Sequence, residues 1–333
     1  MIGGIYRGQP LHNSPVFISN TPYMKRNYLL FLGFLLLLSV ACKKEKVISG
    51  NNIPAYAEVP TVAIENYVNR LFIDLVGREP ADSELVVYVN FLRANDLNLN
   101  SRDSLCRFIQ NDTTDRPLGR YRDAYCTWLY EKVKNRFFIE FGKDSDFEGF
   151  INRVVSEAGA SDTTDTVNLN GYAKIEILRL QRVLRSKDNF CQGLIGINDM
   201  MSYMINCRNY DEINMQNVNY VRACFNDLLY RIIYSDLNNR YAQSLNQNTL
   251  DYLFGQPFRT KDEWAYIMTH SWEFYDGLAT WMYLTYLQRE PTSDEAFQVI
   301  DVLNGNSGIS SFQFMQRKLL VTDEYAQFKF IGQ

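Results

Sequence analysis

The stretch Leu71-Phe72-Ile73-Asp74-Leu75-Val76-Gly77-Arg78-Glu79-Pro80-Ala81-Asp82-Ser83-Glu84 returns 211 residues later as Met282-Tyr283-Leu284-Thr285-Tyr286-Leu287-Gln288-Arg289-Glu290-Pro291-Thr292-Ser293-Asp294-Glu295. Both copies contain Arg-Glu-Pro, and both place a glutamate six residues after the arginine. The apolar residues ahead of each arginine recur at helical spacing. Proline lacks the N–H that a helix interior needs and pushes the preceding residue out of the α region. The first helix is therefore predicted to end near Gly77 in one copy and near Gln288 in the other. Arg78 and Arg289 are expected on its last carbonyls, where positive charge is favoured. Thr292-Ser293-Asp294-Glu295 has the form of a capping box that opens a second helix. Ala81 has no hydroxyl, which leaves Asp82 or a frayed turn to start the matching helix. A weaker third copy, Phe225-Asn226-Asp227-Leu228-Leu229-Tyr230-Arg231, keeps the Asp-Leu pair and the arginine but has Ile233 at the proline position. The corner residues are thus Arg78, Pro80, Glu84, Arg231, Arg289, Pro291 and Glu295.

Outward from these corners each unit continues into an Asn-rich loop and a third helix opened by Ser or Thr: Ser101 to Ser104 in the first, Thr260 to Glu263 in the middle, Ser310-Ser311 in the last. Helical spacing also runs through Ile64, Val68, Leu71, Phe72 and Leu75, through Tyr121, Tyr125, Trp128, Leu129 and Val133, and through Ile175, Leu178, Leu180, Val183 and Leu184. Val86-Val87-Tyr88-Val89 is rich in β-branched residues but falls inside the second helix of the first unit. The predicted fold is all-α: a helical bundle of about three helix-corner-helix repeats with no significant sheet. It occupies residues 60–333, divisible into halves 60–160 and 170–333. The Leu-x-Gly-Arg-Glu-Pro corner with its downstream glutamate resembles helical repeats of bacterial surface proteins. It is also similar to the core of phycobilisome-linker domains and to helical modules of large planctomycete and Bacteroidetes envelope proteins. That resemblance implies a scaffold or interaction role and brings no catalytic residues with it.

The N-terminus carries an address. Met24-Lys25-Arg26-Asn27 precedes an apolar run of 14 residues, Tyr28 to Ala41, and then Cys42. A basic segment followed by an apolar run of about 7–15 residues is a secretory signal, and the run is short of the about 20 residues that span a bilayer. Leu38-Ser39-Val40-Ala41-Cys42 resembles the lipobox of bacterial lipoproteins, with Ser39 where that motif usually has leucine. Cys42 is therefore the expected lipidation site, and the membrane, reached through an N-terminal lipid, the expected first partner. Met24 reads as a better translational start than Met1, which makes residues 1–23 an upstream extension, 24–41 the signal peptide and 42–59 a flexible tether. Lys43-Lys44-Glu45-Lys46 after the cysteine resembles the surface-export signal of Bacteroidetes lipoproteins, although that signal is usually more acidic. The expected location is the outer membrane, on either its periplasmic or its cell-surface face.

Past Cys42, 31 basic residues stand against 38 acidic ones, a net charge of −7. A nucleic-acid partner would call for a basic face. Five further cysteines follow, with no Cys-x-x-Cys pair, which excludes a zinc ribbon and a thioredoxin-like motif. Cys106 and Cys126 sit in apolar helical patterns and read as small buried hydrophobes. Cys191, Cys207 and Cys224 form the expected disulfide set, with their pairing open.

His270 is the single histidine after Cys42, so multi-histidine metal sites are not available and no metal is expected. It reads as a packed or capping residue. Asp144-Ser145-Asp146 begins like a calcium loop, but Val155 stands where a bidentate glutamate is needed, so these residues read as a helix N-terminus. Phosphate loops and nucleophile elbows are missing, which removes nucleotides and other cofactors from the expectation. Trp264, Trp272, Tyr275, Trp281 and Tyr286 cluster in the last third and read as core. Their sharper reading is a ligand platform formed by Trp264, Trp272, Tyr275 and Trp281. Together these features predict a non-catalytic binding or scaffold module of the cell envelope with an envelope protein as partner. The alternative is a carboxylate-dependent hydrolase acting on glycans.

Overall fold

The structure is a computed structural model and describes residues 59–140, 142–165 and 167–328. The signal, Cys42 and nearly all of the tether lie outside the described residues. From Thr61 the chain runs through α1 (Thr61–Val76), α2 (Asp82–Ala94), α3 (Leu99–Asn111), α4 (Tyr121–Phe137) and α5 (Asp144–Glu157). It continues through α6 (Gly171–Cys191), α7 (Ile197–Ile205), α8 (Arg208–Ile213), α9 (Asn217–Leu229) and α10 (Ser235–Gln247). A small hairpin, β1 (Asp251–Leu253) and β2 (Gln256–Phe258), leads to α11 (Lys261–His270), α12 (Trp272–Leu287), α13 (Ser293–Leu303), α14 (Ile309–Leu320) and α15 (Asp323–Ala326). The all-α reading holds, with two three-residue strands as the sheet found among the described residues. No helix among them is long and apolar enough to cross a membrane.

The three corners are built alike. α1 buries Ile64, Tyr67, Val68, Leu71, Phe72 and Leu75, and ends when Gly77 turns left-handed at φ 77° and its N–H bonds the Phe72 carbonyl. α9 ends on left-handed Tyr230 at φ 54°, and α12 on left-handed Gln288 at φ 58°. The arginine follows at once in each, and the N-cap of the next helix comes three residues later, at Ala81, Tyr234 and Thr292. A left-handed residue satisfies orphan carbonyls at a helix end. The middle corner, which lacks the proline, therefore has the same backbone turn as the other two.

Some local expectations are corrected. α2 is capped at Ala81 rather than Asp82: Glu84 reaches back and its Oε2 accepts the Ala81 N–H at 2.7 Å. α3 opens at Asn98, whose Oδ1 accepts the Ser101 N–H, and α14 opens at Gly308. The middle unit does open on Thr260, with Glu263 completing a capping box. In α6 the buried face is Ala173, Ile177, Leu180 and Val183, while Ile175 and Leu178 are exposed. The hairpin turns on Phe254-Gly255, both at positive φ. It packs Leu253 and Phe258 into the core beside Trp264. A Phe-Gly turn between three-residue strands carries neither the Asn-Gly signal nor enough length for an alternating pattern.

Residues 60–160 and 170–333 share one core. α3 and α14 run antiparallel, since Gln110 faces Gln313 while Asp103 faces Arg317. Between them lies a buried polar network. Gln316 Oε1 accepts from the Tyr125 hydroxyl at 2.5 Å and from Gln110 Nε2 at 3.1 Å, and its Nε2 donates to the Tyr286 hydroxyl at 2.7 Å. Gln110 Oε1 in turn accepts from Arg317 at 2.8 Å. Polar groups taken out of water cost stability unless paired, and this network pairs them while fixing the register of first and last units.

Candidate functional site

The outer corners are ionic clamps. Arg78 forks Glu84 at 2.7 and 2.9 Å and donates to the Glu79 carbonyl at 2.8 Å. The Tyr121 hydroxyl adds a bond to Glu84 at 2.6 Å. Burial alone would raise the Glu84 carboxyl, but the bonds from Arg78, Tyr121 and the Ala81 N–H hold it at about 2. Arg289 repeats the pattern, forking Glu295 at 2.8 and 2.7 Å and donating to the Glu290 carbonyl at 3.0 Å. It also bonds Glu324 at 2.6 Å, and its grip on Glu295 holds that carboxyl at about 2. Each arginine thus reaches forward across its proline instead of back onto the carbonyls of the preceding helix. Both glutamates are committed to closing a turn.

Arg231 has no such glutamate, because Leu237 stands six residues on. It pairs instead with Asp276 of α12 at 2.7 Å. Ile233, at the proline position, is buried, and Leu237 packs against the core. Ile232, where the other corners have glutamate, is 92% exposed.

The aromatic platform comes apart. Trp264, Tyr275 and Trp281 are buried in the core, and Trp272 alone of the four is exposed, at 45%, with Phe297 against its edge. The disulfide set is also revised. Cys191 pairs with Cys126, their Cα atoms 6.1 Å apart, which ties the end of α6 to α4. Cys207 and Cys224 are buried thiols, each pushed up to about 12 by burial, as is Cys106. Cys126 lies on the α4 face that meets α6, and helical spacing alone does not say which neighbour a face meets.

His270 stacks on Tyr266 with ring centres 3.9 Å apart. Its Nδ1 lies 2.8 Å from the Tyr266 carbonyl and its Nε2 3.4 Å from Asp199. Asp144 accepts from Lys134 at 2.7 Å and Tyr130 at 3.0 Å, and Asp146 accepts the Lys143 N–H at 2.9 Å. These acids tie down the start of α5.

A cavity of about 610 Å³ opens beside the middle corner, between the end of α4 and the α8–α9 segment. Arg136, Arg222 and Arg231 line it together with one carboxylate, Asp227. The Arg136 guanidinium sits 4.8 Å from the Tyr230 ring centre and 5.6 Å from that of Trp281, and its Nη2 is buried with no hydrogen-bond acceptor among the described residues. Burial lowers its pKa. Arg222 is exposed and forms no ion pair among the described residues. Burial raises the Asp227 carboxyl in spite of the bond it accepts from the Tyr210 hydroxyl at 2.8 Å. The rim carries Ile139 and Ile232, 95% and 92% exposed.

Sequence reasoning reached Arg231 but not the cavity around it. The available signal was Ile232, a large apolar residue at a turn position that holds glutamate in both sister corners. Comparison with known protein families, with curated proteins and with solved structures finds no match to this chain.

Proposed function

We propose that this chain is a lipid-anchored, non-catalytic binding or scaffold module of the cell envelope, held through Cys42 at the outer membrane and presenting its helical corners to an envelope protein. The observation that carries the reading is how the carboxylates are used. Glu84 and Glu295 close turns and stay ionised far below neutral pH. The cavity at the middle corner has a single carboxylic acid in its lining, whereas glycan hydrolysis by carboxylates uses an acid and a second carboxylate across the bond. Stacked helical units commonly serve as binding surfaces.

Two measurements test the reading. Metabolic labelling with an azido fatty acid is expected to mark the wild-type chain, while the Cys42→Ala chain is unlabelled and retains its signal. Labelling of Cys42→Ala at the wild-type level ends the lipid-anchor claim. The purified chain is also expected to turn over neither peptidoglycan nor common glycans. Glycan turnover that Asp227→Asn abolishes without lowering the melting temperature would replace the binding reading with the hydrolase one.

A further inference from the structure

We infer that the cavity beside the middle corner binds the C-terminal end of a peptide whose last side chain is apolar, with the free carboxylate held by Arg136 and Arg222. This deepens the binding reading above and rests on it.

Charge gives the first part of the argument. Arg231 is neutralised by Asp276. That leaves Arg136 and Arg222 against Asp227 in the lining, an excess of one positive charge. The Arg136 guanidinium lies against the Tyr230 and Trp281 rings and forms no ion pair with the nearby Asp227, so its buried Nη2 keeps an unused N–H. A monoanion balances this site, whereas a phosphate dianion exceeds it. Planar guanidinium groups also match a carboxylate in geometry.

The amides of the lining give the second. Asn214 donates its side-chain N–H to the Tyr210 carbonyl, Asn219 to the Met215 carbonyl, and Asn226 to Asp227. Each bond uses one of the two N–H groups, which leaves one N–H and the amide oxygen of each side chain. A set that both donates and accepts, beside two guanidinium groups, suits a ligand that brings backbone amides as well as a carboxylate. A peptide terminus has both, and a fatty acid has only the carboxylate. The rim completes the match. Ile139 and Ile232 stand almost fully exposed at the cavity mouth, where burial of an apolar side chain is favourable.

The test uses the full chain in equilibrium dialysis against two pools of N-acetyl tetrapeptides ending in Leu, Ile, Val or Phe. One pool has free C-termini and the other is amidated. The free-acid pool is expected to be retained at least tenfold more strongly, and Arg222→Gln, a change to an exposed side chain, is expected to weaken that retention tenfold or more without moving the melting temperature. Arg136→Met should weaken it further, and Arg222→Gln keeps the test decisive if that buried change unfolds the chain. Equal retention of the two pools overturns the inference, as does wild-type retention by Arg222→Gln. Decanoate and inorganic phosphate are separate arms, and tighter binding of either than of the free-acid pool overturns the assignment to a peptide. Fatty-acid labelling at Cys42 and glycan turnover are read independently, so a failed dialysis leaves the broader binding reading standing or falling by its own test.

Discussion

At Arg289 the side chain is gripped by Glu295 and Glu324. At Arg231, on a backbone turn of the same form, the partner is Asp276 of another helix. The two corners share a left-handed residue before the arginine and an N-cap three residues after it. They differ in what closes them: Pro291 and Glu295 in one, Ile233 and Leu237 in the other. The turn is therefore a property of the backbone, and its closure can be ionic or apolar. Apolar closure frees the arginine to face a cavity, and the exposed glutamate position becomes Ile232 on its rim. The outer corners hold the fold together, while the middle corner has both a turn and an open site.

The most severe way to break the comparison is from beneath. α12 crosses α9 at Gly277, where an added Cβ would lie 2.1 Å from the Leu228 carbonyl oxygen and 2.8 Å from the Leu229 Cα. Neither backbone atom can give way without moving the middle corner. Gly277→Ala is expected to cost about 3 kcal/mol, read as a lower urea midpoint. A midpoint equal to wild type would mean that the corner does not depend on this close approach.

The next test separates ionic from apolar closure. Glu84 and Glu295 both fall from an ordinary value of 4.5 to about 2. A depressed carboxylate stabilises the fold fully above its unfolded value, and that stabilisation is lost as pH falls through the folded value. The outer corners should therefore weaken progressively between about pH 4.5 and pH 2, and the middle corner, closed by Ile233 and Leu237, should not contribute to that loss. Glu84→Gln leaves Arg78 without its carboxylate and is expected to cost about 1–3 kcal/mol at neutral pH. Arg231→Gln, at a half-exposed pair, is expected to cost less than about 1 kcal/mol. Unfolding free energies from pH 2 to pH 7 check both. If Glu84→Gln and Glu295→Gln together leave the acid slope unchanged, ionic closure is not what the outer corners rely on.

What could be read from sequence divides along the same line. The corners and the caps at Thr260 and Thr292 were legible because their determinants lie within a few residues of one another. Glu84 and Glu295 stand six residues from their arginines, a local relation. The cavity draws Arg136 from α4 and Ile232 from a corner almost a hundred residues further on, so only packing brings them together. The Cys126–Cys191 pairing failed for the same reason. The α6 face was misread because Ile175 and Leu178 also fall at plausible helical spacing, and period alone does not choose between two apolar stripes on one helix.

The smallest effect sharpens the comparison between the two outer corners. Gly77 and Gln288 occupy the same position, both left-handed, at φ 77° and 58°. Left-handed backbone favours glycine at 77, and space requires it, because a Cβ there would lie 2.6 Å from the Trp128 ring. At 288 the side chain is exposed and pays only the steric cost of left-handed backbone, about 1 kcal/mol or somewhat more for an L-residue. Glycine removes that cost but returns part of it through greater freedom of the unfolded chain. Gln288→Gly is therefore expected to stabilise the protein by about 0.5 kcal/mol, a small rise in melting temperature with the Arg289–Glu295 clamp intact. A fall in melting temperature would mean that the Gln288 side chain does something at this corner beyond accepting an unfavourable φ.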